Sequence, residues 1–341
     1  MHPNTPETLA GARVLVTGAS GFIGSQLCRR LREAEAEVHG ISRVARSSEE
    51  GGPTWWKGDA SDEVFVRKLL RALRPEFVFH LAGETRAKRD LELVLPTFQQ
   101  NLTTSVNILL AATESGCRRV VLAGSLDEPV NGEVPSSPYA AAHVAIRAYA
   151  RMFHEILGAR AVVARIFMTY GPQQEALQKL IPYVTLALLR GEAPKVSSGE
   201  RLVDWVYIDD VADGLLALGL APWIEGRTLD VASGKPASVR EVVEQLARLT
   251  GSTEEPIFGA VPERKMEQSR RANVEETFAA TGWRSKTSLE EGLRKTIEWY
   301  RTKVKPKALH SLPVLALMNF WSQFLGDLGE FSMALEMLKG T

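Results

Sequence analysis

The stretch Arg13-Val-Leu-Val-Thr-Gly-Ala-Ser-Gly-Phe-Ile-Gly24 decides the fold that we expect of this chain. Its first five residues form a largely apolar, β-branched run that is typical of a buried strand. Gly18, Gly21 and Gly24 then recur at every third residue, and the residues after them have helical periodicity. Glycines let the backbone approach a diphosphate, and a helix N-terminus offers free N–H groups and a partial positive charge. The stretch therefore predicts a strand–turn–helix unit that binds a dinucleotide, and the alternative is a tight turn without a ligand.

The composition limits the classes of function. The chain has 341 residues, 45% of them hydrophobic, and a formal net charge of zero, so we expect no general affinity for nucleic acid or for an anionic membrane. Two cysteines, Cys28 and Cys117, support neither a disulfide framework nor a cysteine metal site. No apolar run is long enough to span a bilayer, and residues 1–12 lack a signal-peptide core. The expectation is a soluble cytoplasmic protein without a metal site.

Strands and helices alternate after the glycine stretch. Short apolar runs predict strands at 37–41, 55–57, 76–81 and 118–123, with helices at 62–73 and 97–116 between them. This alternation is the signature of an α/β fold with a Rossmann-type, doubly wound parallel sheet.

The domain boundaries are predicted from two later strand-like segments, at 165–167 and 204–208, which suggest that the chain crosses between lobes. Residues 1–169 would form the dinucleotide-binding domain, with 204–234 returning to it. Residues 170–203 and 235–302 would form a smaller substrate lobe, and 303–341 an apolar helical extension.

The end of the second predicted strand bears on the choice of cofactor. In NAD-specific folds of this type an acidic residue about twenty positions past the glycines binds the ribose 2′-hydroxyl. Here that place holds Ser42, and Arg43 and Arg46 follow. Arginine can clamp a 2′-phosphate through two charge-assisted hydrogen bonds. NADP(H) is therefore favoured over NAD(H), and the alternative is that both arginines are solvated loop residues.

The remaining strand ends supply further expected contacts. Asp59 is a candidate for the adenine, and the backbone of 81–83 is a candidate lining of the cofactor site. His80 ends an apolar strand and is expected to be a core histidine, since no histidine–carboxylate pair has metal-ligand spacing.

Taken together, these motifs resemble the extended short-chain dehydrogenase/reductases, in particular the nucleotide-sugar epimerases and dehydratases, over about residues 12–302. The motifs that carry the resemblance are Thr17-Gly-Ala-Ser-Gly-Phe-Ile-Gly24, Gly58-Asp59, His80-Leu-Ala-Gly83, Ser137-Pro-Tyr-Ala-Ala-Ala-His143, Arg165-Ile-Phe-Met-Thr-Tyr-Gly-Pro172, Asp204-Trp-Val-Tyr-Ile-Asp-Asp210, and Gly282-Trp283 followed by 289–300.

The resemblance implies a tyrosine acid/base, a lysine four residues later and a serine or threonine. Tyr139 matches the tyrosine, but His143 stands at the lysine position. The hydroxyl position holds Leu126, and the adjacent Ser125 can serve only if the register shifts by one residue. The expected catalytic residues are Tyr139, Ser125 and His143. The expected cofactor contacts, in chain order, are Gly18, Ser20, Gly21, Phe22, Ile23, Gly24, Ser42, Arg43, Arg46, Asp59, Ala60, Leu81, Ala82, Gly83, Ala123, Tyr139, His143 and Phe167.

Two further departures concern the substrate. Met168 replaces an asparagine, and Val203 replaces an arginine, that help to hold a sugar-nucleotide diphosphate in the family. Their loss favours an apolar substrate. Asp127 and Glu128 look like the dehydratase acid pair, but Pro129 follows at once, and a surface turn is the expected structure.

The C-terminal segment is unusually apolar. From Ser311 to Thr341 only four residues are charged, and helical spacing predicts a pair of helices there. Three alternatives remain open: the pair packs on its own domain, forms a contact in a homodimer, or closes over the substrate as a lid.

The leading hypothesis is a reductase that transfers hydride from NADPH to a ring ketone of a polycyclic aromatic, angucyclinone-like polyketide. The proton would come from Tyr139 or from a phenol of the substrate itself. The alternatives are a nucleotide-sugar epimerase, dehydratase or 4-ketoreductase, and a non-catalytic NADP-binding protein.

Overall fold

A seven-stranded parallel sheet organises the computed structural model, which describes residues 8–47, 52–130, 133–263 and 270–304. Its strand order is β3-β2-β1-β4-β5-β6-β9. A second sheet of three strands has the order β10-β8-β7. The strands are β1 (Arg13–Thr17), β2 (Glu37–Ser42), β3 (Thr54–Lys57), β4 (Phe77–His80), β5 (Arg119–Ser125), β6 (Ala161–Ile166), β7 (Met168–Tyr170), β8 (Leu202–Tyr207), β9 (Thr228–Val231) and β10 (Pro236–Ser238).

Helices cover both faces of the large sheet. The helices are α1 (Phe22–Glu33), α2 (Glu63–Leu73), α3 (Val94–Thr97), α4 (Thr104–Glu114), α5 (Pro138–Leu157), α6 (Leu180–Leu189), α7 (Ile208–Leu220), α8 (Val239–Thr250), α9 (Val274–Thr281) and α10 (Leu289–Arg301). On one face α1 packs against α7, and on the other α4 packs between α2 and α5. Each face has its own apolar core, and this layered arrangement confirms the doubly wound α/β fold.

The strand order reverses beside β1. The chain runs outward from β1 to β2 and β3 and then returns to place β4 on the other side of β1. In open parallel sheets the crevice beyond the carboxyl ends of the strands at such a reversal is the usual ligand site. The turn after Thr17 and the turn after His80 both lie at this edge.

The helix that the sequence predicts at 97–116 differs in its first part. It begins at Val94 and passes through a π-helical stretch, Phe98–Thr103, before the regular turns of α4. Periodicity did not reveal this stretch, because residues 97–105 are mostly polar and carry too few apolar residues to define a helical stripe. Asn101, inside the stretch, is buried and directed at the chain after β4.

The small sheet has a third apolar core, formed with α6, α8 and α10. The predicted return of 204–234 to the large sheet is divided in the structure: β8 lies in the small sheet, α7 packs on α1, and β9 forms the edge of the large sheet. The predicted helices of 311–341 lie outside the described residues. Within the described part of the chain no helix is long and apolar enough to cross a bilayer.

Candidate functional site

The glycine turn after β1 is shaped by close backbone approaches. Gly18 has φ +70°, and a Cβ there would lie 2.8 Å from the Ala82 nitrogen. A Cβ on Gly24 would overlap the Gly18 carbonyl oxygen. These two positions therefore require glycine, whatever the turn binds.

The N-terminus of α1 is open to an anion. Gly21 is its N-cap, no side chain caps the helix, and its first turn holds no acidic residue. Ser20 and Gly21 are exposed, whereas Phe22 and Ile23 pack partly against the small-sheet core. The Gly21 N–H donates to the Gly18 carbonyl at 2.9 Å, and the first N–H groups of α1 beyond it form a cradle that fits the diphosphate of a dinucleotide.

A chain of buried hydrogen bonds fixes the next part of the cradle. The backbone N–H groups of Leu81 and Ala82 donate to the Thr17 hydroxyl at 3.2 and 3.1 Å. Thr17 Oγ1 therefore donates its own proton to His80 Nδ1, 2.7 Å away, and His80 Nε2 donates to Thr104 Oγ1 at 3.2 Å. His80 is thus a core histidine whose proton lies on Nε2, and it holds the 81–83 backbone at the crevice.

The segment after Gly83 is held by Asn101 and Arg86, neither of which was predicted from the sequence. Asn101 accepts the Glu84 N–H at 2.8 Å and donates to the Glu84 carbonyl at 3.0 Å. The Glu84 carboxylate pairs with Arg86 at 2.6 Å, which lowers the pKa of Glu84. The sequence holds no signal that separates Asn101 from the polar residues beside it, such as Gln99 and Gln100.

The end of β2 carries the residues expected to select the cofactor. Ser42 accepts from Arg46 Nε at 3.2 Å, and the Arg46 guanidinium lies 5.2 Å from the centre of the Trp55 ring. Arg43 is exposed beside them. The structure thus brings two cations and a hydroxyl to the strand end where NAD-specific folds have a carboxylate.

Asp59 lies at the neighbouring strand end. It is exposed, and its Oδ1 accepts from the Ser61 N–H and hydroxyl at 2.8 and 2.9 Å. Ala60 is buried, and its carbonyl accepts from Asn107.

Two of the three expected catalytic residues lie side by side. The Ser125 hydroxyl is close enough to the Tyr139 phenol to lower the pKa of that phenol, and it accepts the Asp127 N–H at 3.2 Å. Leu126, at the position where the resemblance expects a hydroxyl, is buried in the core. Among the described residues the serine partner of Tyr139 is therefore Ser125, in the register shifted by one residue.

His143 faces Tyr139 one turn along α5. The ring centroids are 4.4 Å apart, at an interplanar angle of 69°. The His143 side chain is 5% exposed, and neither ring nitrogen has a hydrogen bond of regular geometry within the described residues. Burial lowers the pKa of His143 to about 4, although the Ala123 backbone raises it slightly. A neutral ring therefore stands where the family has a permanent cation.

Tyr139 stays protonated in this environment. Its pKa is raised to about 12, chiefly by burial; the Ser125 hydroxyl opposes the rise, and the charges of Asp127 and Glu128 add to it. A lysine would stabilise the phenolate, but a neutral imidazole does not. The site thus provides a proton donor and disfavours a tyrosinate base.

The prediction of a surface turn at Asp127 and Glu128 is wrong for Glu128. Its side chain is fully buried and lies 3.2 Å from Arg147 Nε and 3.5 Å from Arg165. Pro129 suggested exposure, but arginines distant in the sequence neutralise the carboxylate, and such partners cannot be read from a local pattern.

The remaining predicted positions differ in exposure. Ala123 is partly buried on β5, whereas Phe167 is buried in the core of the large sheet. Met168 is partly buried between that core and the core of the small sheet. Val203 is 5% exposed and packs inside the small-sheet core, so its side chain belongs to the interior.

Comparisons with known proteins agree with this architecture. The model of the NAD dependent epimerase/dehydratase family matches residues 14–223. The chain is 32% identical to a UDP-glucose 4-epimerase of Mycolicibacterium smegmatis, over 85% of this chain and 99% of that protein. It is 29% identical to a dTDP-glucose 4,6-dehydratase of the same organism, over 85% of this chain and 93% of that protein.

Solved structures give the same result. A UDP-glucose 4-epimerase of Thermotoga maritima with UDP-glucose has a TM-score of 0.78 at 25% identity and covers 86% of this chain and 100% of its own. The Thermus thermophilus UDP-glucose 4-epimerase with NAD has a TM-score of 0.75 at 28% identity, with the same coverage of both chains. The fold and the glycine turn are of the Rossmann type, and the chain belongs to the NAD dependent epimerase/dehydratase family.

Metal chemistry has no candidate site in the described ranges, where no group of three or more His, Cys, Asp or Glu side chains could hold an ion.

The two buried histidines predict a loss of stability in acid. The pKa of His80 and that of His143 are lowered to about 4, whereas an unfolded histidine titrates near 6.5. Between these values the unfolded chain binds protons that the folded chain does not, so the free energy of unfolding falls as the pH falls from about 6.5. We expect a loss of about 3 kcal/mol per histidine by about pH 4. Urea unfolding at several pH values measures the free energy of unfolding. In His143→Gln its decrease between about pH 6.5 and pH 4 should be about half of that in the wild type. An equal decrease in both proteins would contradict the lowered pKa of His143.

The cradle predicts that Gly21→Ala weakens dinucleotide binding without unfolding the chain. The new Cβ would lie 3.2 Å from the Gly18 oxygen, which the exposed turn can accommodate, but it would stand in the path of the diphosphate. We expect the Kd for NADPH or NADH to rise about 10-fold or more, which is 1.4 kcal/mol. Calorimetric titration measures the affinity, and a thermal midpoint close to that of the wild type shows that the fold is retained. Unchanged affinity would place the diphosphate elsewhere.

Proposed function

We propose that the protein is an NAD(P)H-dependent ketoreductase, which reduces a ketone to a secondary alcohol. The single observation that carries this proposal is the buried, neutral His143 beside Tyr139. Family membership alone is compatible with epimerases and dehydratases as well as with reductases, so the proposal depends on the direction in which the site can move a proton.

The charge state of Tyr139 favours reduction. Oxidation of a substrate hydroxyl, with which an epimerase or dehydratase begins, needs a base that removes the hydroxyl proton. A phenol whose pKa is raised to about 12 is a weak source of that base near neutral pH. Reduction needs the opposite, a protonated group that can neutralise the developing alkoxide, and the phenol supplies one.

The chain's own residues divide the work as follows. When bound, the reduced nicotinamide supplies the hydride to the carbonyl carbon. Tyr139 donates its proton to the carbonyl oxygen, and the Ser125 hydroxyl stabilises the phenolate that remains. The unpartnered nitrogens of His143 would hold the nicotinamide ribose through neutral hydrogen bonds.

The proposed cofactor is NADP(H), with NAD(H) as the alternative. The cradle of α1 would hold the diphosphate. Asp59 would contact the adenosine side of the cofactor, and the 81–83 backbone would line its nicotinamide side. Ser42, Arg43 and Arg46 would hold a 2′-phosphate, since a guanidinium binds it, and within the described residues 42–47 no carboxylate repels it. NAD(H) is favoured by the Thermus thermophilus relative, which was solved with NAD.

The proposed substrate is a polycyclic aromatic polyketide of the angucyclinone kind, in antibiotic biosynthesis. Met168 stands in place of an amide that would bind a diphosphate, and Leu126 in place of a hydroxyl. The missing lysine and the apolar C-terminal segment resemble the atypical ketoreductase of simocyclinone biosynthesis, and the angucyclinone assignment comes from that resemblance.

A second candidate is a sugar-nucleotide epimerase, dehydratase or 4-ketoreductase. The relatives favour it, because the proteins with the highest similarity reported above are UDP-glucose 4-epimerases and a dTDP-glucose 4,6-dehydratase. Cofactor stoichiometry separates an epimerase or a dehydratase from the first candidate, since a ketoreductase consumes one NAD(P)H per product and these enzymes return the cofactor unchanged. A sugar-nucleotide 4-ketoreductase is separated by its substrate, because it would bind UDP- or dTDP-sugars.

Turnover with a polycyclic aromatic ketone tests the proposal. We expect stoichiometric NADPH oxidation, and a kcat about 100-fold lower in Tyr139→Phe with NADPH affinity retained. Tyr139→Phe with wild-type kcat would instead assign the proton to a phenol of the substrate. Absent turnover, together with strong thermal stabilisation by UDP- or dTDP-sugars, would contradict the ketoreductase and support the second candidate.

The cofactor preference is tested by the double variant Arg43→Ala/Arg46→Ala. Loss of two charge-assisted contacts should raise the Kd for NADPH about 30- to 900-fold, because each is worth about 1 to 2 kcal/mol. The Kd for NADH should change less than about 2-fold, since NADH lacks the 2′-phosphate. Equal loss for both cofactors would show that the arginines do not read the 2′-phosphate.

A further inference from the structure

Glu128 is a buried carboxylate that the proposed proton transfer does not use. Its side chain has no exposed surface, yet it lies three residues from Ser125. Burying a carboxylate is unfavourable unless opposite charges and hydrogen bonds compensate it, so its partners indicate what it does.

One of its oxygens closes the turn that carries Ser125. Glu128 Oε1 accepts the Ser125 N–H at 3.2 Å, and the Glu128 N–H donates to the Ser125 carbonyl at the same distance. Gly124 leaves the space for this carboxylate, since a Cβ there would lie 3.0 Å from Oε1. The Ser125 backbone is thereby held on both sides.

The other oxygen ties this turn to two neighbouring elements. Oε2 has no hydrogen bond of regular geometry within the described residues, so its two contacts are ion pairs. Arg147 Nε lies 3.2 Å from Oε2, and Arg147 stands on α5, two turns beyond Tyr139. Arg165 of β6 lies 3.5 Å away and also pairs with Asp230 of β9 at 2.8 Å. One carboxylate therefore links the turn of Ser125, the helix of Tyr139 and the strand beside them.

We propose that Glu128 is a positioning residue that fixes the Ser125 hydroxyl against the Tyr139 phenol by tying the turn after β5 to α5 and β6. Its side chain bonds the Ser125 backbone, and it acts on the Tyr139 phenol through its charge. The kinetic effects expected of Glu128 variants rest on the proposed reduction, whereas the structural effect does not.

Asp230 provides a matched control. It is 5% exposed and pairs with the same Arg165, so Asp230→Asn disturbs the same buried charges. Its other contacts are to Asn273 and Thr277, away from Ser125. A merely structural role for the cluster would make Glu128→Gln and Asp230→Asn equivalent.

The experiment compares crystal structures and kinetics of the wild type, Glu128→Gln and Asp230→Asn. In Glu128→Gln we expect Ser125 Oγ and Tyr139 Oη to separate beyond about 3.5 Å. The kcat for a polycyclic aromatic ketone should fall about 10-fold, with the KM for NADPH within about 2-fold of the wild type. In Asp230→Asn only the thermal midpoint should fall. If Glu128→Gln does not fold, Arg147→Gln, whose arginine is 42% exposed, replaces it with the same expectation.

An unchanged distance between Ser125 Oγ and Tyr139 Oη in the Glu128 or Arg147 variant overturns the inference, as does an equal loss of kcat in Asp230→Asn. The Oγ–Oη distance needs no substrate. If the wild type reduces no ketone but the distance increases only in the Glu128 or Arg147 variant, the proposed reduction fails and the positioning role stands.

Discussion

The contact between Tyr139 and His143 determines the chemistry that we assign to this protein. An imidazole that is 5% exposed cannot keep a proton near neutral pH, because water no longer solvates the cation and no carboxylate of the described residues pairs with it. The phenol beside it therefore has no cation to stabilise its ionised form. In the family, a lysine can stabilise the ionised form of this tyrosine, so that the tyrosine acts as a base. In this chain Tyr139 lacks that lysine and acts as an acid.

The scaffold explains how such a change is tolerated. The dinucleotide cradle depends on backbone geometry at Gly18 and Gly24 and on the Thr17–His80 hydrogen bond, none of which involves the lysine position. The proton-handling residues are held separately, by the turn after β5 and by the start of α5. Because the two parts have independent supports, one can be altered while the other is retained.

The sequence was sufficient for the fold and for the cradle, because both depend on local signals: an apolar run, glycine spacing and helical periodicity. It was also sufficient to place Ser125, Tyr139 and His143 in one neighbourhood through the resemblance. It could not choose between Ser125 and Leu126, since one residue of register depends on how the turn after β5 packs. It missed the burial of Glu128 and the roles of Thr17 and Asn101, because their partners are distant in the sequence. It also treated Val203 as a lining residue, whereas β8 directs this side chain into the small-sheet core.

The most direct test of this account is the pH dependence of kcat in the two directions, ketone reduction and alcohol oxidation, on one enzyme preparation. A protonated Tyr139 predicts reduction that is flat between about pH 6 and pH 9, and oxidation that rises with pH across this range without a plateau. Oxidation that reaches a plateau near neutral pH would mean that Tyr139 ionises readily, and it would contradict the assignment of a neutral His143 as the feature that directs the reaction.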